Sequence, residues 1–309
     1  MHEFTLIASD GHAVACYAWP HDAPKGAIHI AHGMGEHARR YDEVARALVA
    51  AGYAVVTNDH RGHGRTAGEV AGYMGADGWN RCLADAYELN QHLQAQYPQL
   101  PRVLLGHSMG AMLSAQYITR HGASIDALIL SGSPGFKATS WNPIPGWMLG
   151  FEHWRLGPAG NSALMQKALF GSANKTFEGG PGETTGYEWL SRDPEQVRAY
   201  VEDPDCGAVL AVGSLRELFA GAAVAADPAS IAKIPKALPI YVFSGGDDPI
   251  HGEKQDIERM VSAWREAGLT GIELKWYDEG RHEMFKEINR DAVITDTIAW
   301  LDGLMSKLA

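Results

Sequence analysis

The sequence predicts an α/β protein: a mostly parallel central sheet flanked by helices and interrupted by an inserted, mainly helical cap. Three observations predict it. Short apolar runs of strand character alternate with amphipathic runs at helical spacing, the pattern of parallel strands joined by crossover helices. That alternation lapses between residues 135 and 235 and then resumes, a gap far too long for a plain loop. At 309 residues the chain can bury a large core and still carry such an insertion.

The elements follow in order. HEFTLIASDGHAVACYAWP holds two strand-like runs around Ser-Asp-Gly and reads as a β-hairpin. AIHIAHG reads as a strand, YDEVARALVAAG as a helix ending at Gly52, and YAVVTNDH as the next strand. The amphipathic run WNRCLADAYELNQHLQAQYP is a helix stopped by Pro98. RVLLGHS, MGAMLSAQYITRH and DALILSGS then read as strand, helix and strand. In the irregular stretch, short helices are expected in SALMQKALF and DPEQVRAYVEDP, behind the aromatic WNPIPGWMLGFEHW and around the Gly-rich EGGPGETTGY. LPIYVFSGGDD, EKQDIERMVSAWREAG, IELKWYDEG and AVITDTIAWLDGLMSKL restore the alternation. The expected division is a core of residues 1–134 and 236–309, with residues 135–235 as the cap.

Charge and composition narrow the function. A formal net charge of -11, a pI near 5.7 and the lack of a polybasic stretch argue against nucleic acid or an anionic membrane held by charge. The first residues lack a cationic start followed by an apolar core, and no apolar run reaches transmembrane length, so a cytoplasmic location is expected. Cys16, Cys82 and Cys206 are odd in number and far apart, which predicts free thiols rather than a disulfide framework or a zinc site.

Chemistry enters at LLGHSMGAM, residues 104–112, where Ser108 stands between Gly106 and Gly110 at the junction of a strand and a helix. This G-x-S-x-G context would hold the serine at the tip of a sharp elbow. A serine hydroxyl needs a histidine base held by a carboxylate, and this architecture calls for the chain order serine, acid, histidine. The strand that resumes after the cap ends in GGDDPI, offering Asp247 and Asp248; Pro249 biases its predecessor toward extended backbone and favours Asp248. Beyond them only His251 and His282 remain of the 14 histidines. His251 is too near the acid in sequence to bridge it to the serine, whereas His282 follows the last strand. An oxyanion hole needs preorganised N–H donors. The residue after the nucleophile, Met109, is one candidate, and Met34 in AHGMGEH, flanked by Gly33 and Gly35, is the other.

HGMGEHARRYDEVA, NDHRGHGRT, GHSMGAM, GGDDPI and GRHEMFKE together resemble the signature segments of the monoacylglycerol lipase and lysophospholipase-like branch of the α/β-hydrolases, also grouped with serine aminopeptidases. The resemblance covers nearly the whole chain, including WLSRDPEQVRAYVEDPDCG in the cap, which is similar to bacterial members. It implies the α/β-hydrolase fold with a lid, Ser108 as nucleophile, Asp248 as acid, His282 as base, and Met34 and Met109 as N–H donors. It also settles Asp248 over Asp247, because the family's acid precedes a two-residue step ending in an aliphatic, here Pro249 and Ile250. Ala111 replaces the family's second glycine after the nucleophile, a mild departure.

His32, His37, His60 and His63 crowd the same motifs, but their spacing matches no common zinc pattern. A hydrogen-bonding role bracing the oxyanion loop is expected instead, with no metal and no cofactor. Trp141, Trp147, Met148, Leu149, Phe151 and Trp154 crowd one stretch of the cap, and Trp141, Trp147 and Phe151 are expected to line an acyl site. The expected activity is carboxylic ester hydrolysis of a monoacylglycerol, lysophospholipid or similar apolar monoester, with transient membrane-surface contact through the cap. Two alternatives stay open: an aminopeptidase, with Glu152, Glu183, Glu202 or Asp205 receiving the free amine, and a hydrolase-like protein that only binds its ligand.

Overall fold

A computed structural model describes residues 1–137, 146–177, 184–252 and 254–308. The chain opens with the hairpin β1 (His2–Ile7) and β2 (Ala13–Trp19). It continues through β3 (Gly26–Ala31), α1 (Asp42–Ala50), β4 (Tyr53–Asn58), α2 (Gly78–Gln96), β5 (Arg102–His107), α3 (Met109–His121) and β6 (Ala127–Ser131). After an intervening stretch come β7 (Ile240–Gly245), α9 (Gln255–Glu266), β8 (Ile272–Tyr277) and α10 (Arg290–Leu308). One eight-stranded sheet results, in the order β1-β2-β4-β3-β5-β6-β7-β8, parallel from β4 through β8 and antiparallel at the hairpin edge. This is an α/β-hydrolase architecture.

The strands read as continuous apolar runs because both faces of the sheet are covered. Every residue of β3, β4, β6 and β7 is buried, whereas the edge strand β8 is buried only at its two ends, Ile272 and Tyr277. On one face, Val44 and Leu48 of α1 pack with Val293 and Leu301 of α10. On the other, Leu83 of α2, Leu113 of α3 and Trp264 of α9 share a second core. Local signals set the helix ends: Asp42 and Glu43 occupy the first turn of α1, where the helix dipole favours negative charge, and Asp42 also accepts a hydrogen bond from Trp19 Nε1 at 2.8 Å.

Between β6 and β7 the described residues hold no strand. They form α4 (Gly146–Leu156), α5 (Ala163–Phe170), α6 (Pro194–Glu202), α7 (Val212–Ala226) and the short α8 (Pro228–Ile231). Ser162 and Asp193 cap α5 and α6 with their side chains. Helix α7, the longest of the five at 15 residues, went unrecognised in the sequence; it packs on α2, α3 and α4.

Candidate active site

The carboxyl ends of β3, β5, β7 and β8 converge beneath these helices, the place where open α/β sheets collect their working residues. Ser108 sits between β5 and α3 with φ 52° and ψ -113°, a conformation that L-residues other than glycine rarely adopt. Two glycines make the elbow possible. A Cβ on Gly106 would run into Gly110 O and Ser114 Oγ, and one on Gly110 would run into the carbonyls of Ala31 and His32 at the end of β3. The strain is therefore held by close packing of α3 against β3 and β5.

His282, in the loop after β8, places Nε2 2.9 Å from Ser108 Oγ and donates from Nδ1 to Asp248 Oδ2 at 2.8 Å. The carboxylate accepts only, so Nδ1 carries the proton and Nε2 offers its lone pair to the serine hydroxyl. Asp248 also accepts from Ile250 N–H at 2.9 Å and from the Ser244 hydroxyl at 3.2 Å. Burial works against charge on both partners. Even so, the His282 ring, by charge and hydrogen bond, holds the Asp248 carboxyl below its usual range. Asp248 in turn lifts His282 above its ordinary 6.5.

The neighbouring residues fall on different sides. Asp247 is exposed, its backbone N–H tied to Gly280 O at 2.9 Å. His251 is buried away from Ser108, donating from Nε2 to Gly245 O at 2.8 Å and accepting from Lys254 N–H at 2.8 Å. His107 packs its ring against that of His282, with centroids 4.9 Å apart, and burial together with the His282 charge pushes it down to about 4, so it is neutral.

Met34 and Ser108 line the same cavities. The loop that carries Met34 lies against the serine, since a Cβ on Gly33 would come within 3.2 Å of Ser108 Cβ. Met109 N–H belongs to the first turn of α3, where backbone donors lack helical acceptors. Buried partners fix this loop. Glu36 accepts from Gly33 N–H at 2.6 Å and from Tyr41 OH at 2.8 Å. Arg40 then bridges Glu36 at 2.7 Å to Glu283, which it grips through both Nη atoms at 2.6 and 2.8 Å. Since Glu283 follows His282 directly, one guanidinium ties the candidate oxyanion loop to the histidine. Sequence reasoning missed Glu36, Arg40 and Glu283; the available signal was their position inside the HGMGEHARRY and GRHEMF motifs. His32 braces the same loop as expected, donating from Nδ1 to Gly33 O at 2.7 Å and accepting His60 N–H at Nε2, 2.9 Å away.

Residues 22–289 match the family described as serine aminopeptidase, S33. The chain belongs to that family. Over 305 residues this S33 hydrolase is 30% identical to a monoacylglycerol lipase of Mycolicibacterium smegmatis, covering 97% of this chain and 96% of the relative. Its fold is similar to a highly thermostable carboxyl esterase from Bacillus coagulans in complex with glycerol (TM-score 0.84, 25% identity, 98% of each chain). It is also similar to a lipase in an open form (TM-score 0.85, 27% identity, 98% of this chain and 99% of that one). At family level it is a monoacylglycerol lipase-like α/β-hydrolase.

Two cavities open on Ser108 in this S33 hydrolase. The larger, about 740 Å³, is walled by Met112 of α3, Leu169 and Phe170 of α5, and Leu215, Leu218 and Phe219 of α7. The smaller, about 370 Å³, runs past Gly33 to Glu36, Gln166, Tyr187, Trp189 and Tyr200. This corrects the expectation for the cap aromatics. Trp147 and Phe151 of α4 are 75% and 50% exposed and belong to neither wall, because that face of α4 is turned to solvent. Trp141 lies outside the described residues. The carboxylates considered for an amine also lie elsewhere: Glu152 is buried against Arg155 and Ser162, Asp205 pairs with Arg39, Glu202 is exposed, and Glu183 lies outside the described residues. Among the described residues, no helix is long and apolar enough to cross a membrane.

Proposed function

We propose that this hydrolase cleaves carboxylic monoesters with an apolar acyl chain and a small polar alcohol, a monoacylglycerol or close relative, through an acyl-enzyme on Ser108. The observation that carries the reading is the meeting of two unequal cavities at the serine. The larger, mostly apolar one suits an acyl chain, and its volume falls in the usual range for ligand sites. The smaller, with polar groups on its wall, suits the alcohol. The esterase of similar fold that carries glycerol supports a glycerol-like alcohol.

The proposed sequence uses groups already in place. His282 Nε2 takes the proton of Ser108 as Oγ attacks the ester carbonyl, and Asp248 stabilises the imidazolium. The N–H groups of Met34 and Met109 receive the oxyanion. The imidazolium then protonates the leaving alcohol, water enters along the smaller cavity, and the same histidine activates it to release the acid. Residues 135–235 act as the cap that walls off the acyl site and limits water.

Acyl-chain length tests the assignment of cavities. Each methylene buried is worth about 0.8 kcal/mol, roughly a fourfold gain in kcat/KM, so activity on p-nitrophenyl esters should climb with chain length until the larger cavity is full. Ala222 lines that cavity from α7, and Ala222→Phe should truncate the climb while sparing the acetate ester. Phe151→Ala should leave the profile unaltered. A flat profile, with strong turnover of a proline anilide, would instead favour an aminopeptidase.

The face that α4 turns outward gives the cap a second role. Trp147, Phe151 and Trp154, spaced at helical intervals on α4, are 75%, 50% and 79% exposed. Amphipathic aromatic rings favour the bilayer interface, and the overall negative charge selects a neutral surface. Phosphatidylcholine vesicles should carry the protein upward in a flotation gradient, and the Trp147→Ser/Trp154→Ser double variant should stay behind. Equal flotation of the two proteins would reject the contact.

A further inference from the structure

His37 closes the loop after β3 and faces two residues that arrive from the end of α6, Asp203 and Cys206. One ligand atom from each lies within 4.8 Å of the other two. His37 Nε2 is 2.9 Å from Asp203 Oδ2. The His37 side chain is 4% exposed, yet its Nδ1 has no hydrogen-bond partner among the described residues.

We propose that His37, Asp203 and Cys206 form a site for a zinc-class divalent cation that staples the 203–208 loop of the cap to the candidate oxyanion loop. Imidazole, carboxylate and thiolate are the three ligand types zinc prefers, and three protein ligands leave a fourth position for water. With metal–ligand distances of about 2.0–2.3 Å, tetrahedral ligand atoms sit about 3.5 Å apart. His37 Nε2 and Asp203 Oδ2, now at hydrogen-bond distance, would spread by about half an ångström to seat the metal, and Gly207 beside Cys206 already adopts φ 83°.

Binding balances simply. The Cys206 thiol gives its proton to solvent as the sulfur–metal bond forms. The cation replaces the His37 proton that now points at Asp203, and that proton moves to Nδ1, where no existing hydrogen bond is lost. The spacing of histidines along the chain hides such a site, because two of its ligands lie more than 160 residues beyond His37.

The staple would act at the rim of the smaller cavity. Gly207 N–H already donates to Gly35 O at 2.8 Å, and Gly207 and Ala208 line that cavity together with Gly33, Met34 and Gly35. A cation holding Cys206 and His37 together would fix this rim.

Cobalt(II) titration of the full, chelator-stripped chain tests the site. One equivalent should produce a thiolate-to-cobalt charge-transfer band in the near ultraviolet, and a hundredfold excess of zinc over its Kd should raise Tm by about 4 °C. Cys206→Ser should abolish the band and the Tm rise, and Asp203→Asn should weaken cobalt binding about tenfold or more. Ser108→Ala should retain both signals, which separates this site from the reading of the hydrolytic centre. No band in the wild type, or a band of full size in Cys206→Ser, overturns the site. A band with no Tm rise places the ion on the cap loop alone and overturns the staple.

Discussion

Ser108→Ala is expected to abolish ester hydrolysis while leaving the protein folded. The hydroxyl lies 2.9 Å from His282 Nε2. Without Oγ the proposed acyl-enzyme cannot form. In a serine protease the equivalent loss costs about 10⁶ in kcat, and what survives comes from substrate binding and the oxyanion donors. The backbone at position 108 keeps its positive φ because Gly106 and Gly110 hold the elbow, so alanine inherits the same strain and the fold should persist. A fluorophosphonate probe should label the wild type once and the variant not at all. Retained labelling, with circular dichroism unchanged, would show that the nucleophile lies elsewhere.

The second large effect should separate two adjacent aspartates. Asp248→Asn is expected to lower kcat by about 10⁴, by analogy with the same change in a serine protease, where the amide stabilises the wrong histidine tautomer. An asparagine can donate its N–H to His282 Nδ1, which leaves the proton on Nε2, facing the serine that should be giving one up. Asp247→Asn should cost far less, because Asp247 is exposed and tied into the loop through its backbone. The pH profile carries the same information. In the proposed mechanism only neutral His282 can accept the serine proton, and its pKa is raised above 6.5 by Asp248 despite burial. Wild-type kcat/KM should therefore rise through a midpoint above 6.5, with loss of activity below it as the ring charges. Equal losses in the two variants would show that the acid has been misassigned.

Several of these residues are legible in the sequence. The G-x-S-x-G elbow is a local matter: glycines at positions 106 and 110 are required wherever a strand turns this sharply into a helix, and the flanking apolar runs announce both elements. Pro249 favoured its own predecessor, Asp248, through a steric bias toward extended backbone, and Asp248 does have φ -65° and ψ 116°. The buried strands β3 to β7 read correctly because burial on both faces leaves continuous apolar runs. Chain order singled out His282 once Ser108 and Asp248 were the candidates, and its ring does lie within hydrogen-bond distance of both.

Other readings failed for reasons that sequence patterns do not carry. Helix α7 contains VGSLRELFAGAAVAA, so rich in small residues that it shows little contrast between apolar and polar faces. The small residues serve close approach: a Cβ on Gly221 would collide with the Trp79 ring of α2. The Trp147 and Phe151 error came from treating aromatic character as burial. The hydrophobic effect sets an average preference, but whether a given apolar face is covered depends on what packs beside it, and nothing in the described structure covers that face of α4.

The sequence by itself determined the order of strands and helices in the sheet domain, the elbow at Ser108, and the chain order of the candidate serine, acid and histidine. Backbone sterics and side-chain periodicity act over a few residues, and so they are written where they operate. Only the tertiary structure decided that Arg40 joins Glu36 to Glu283, that α5 and α7 wall the larger cavity, and that His37 meets Asp203 and Cys206. Those arrangements depend on residues up to 243 positions apart being pressed together, where a buried charge must find its partner to offset the cost of leaving water. Which partner it finds is settled by the packing of whole elements.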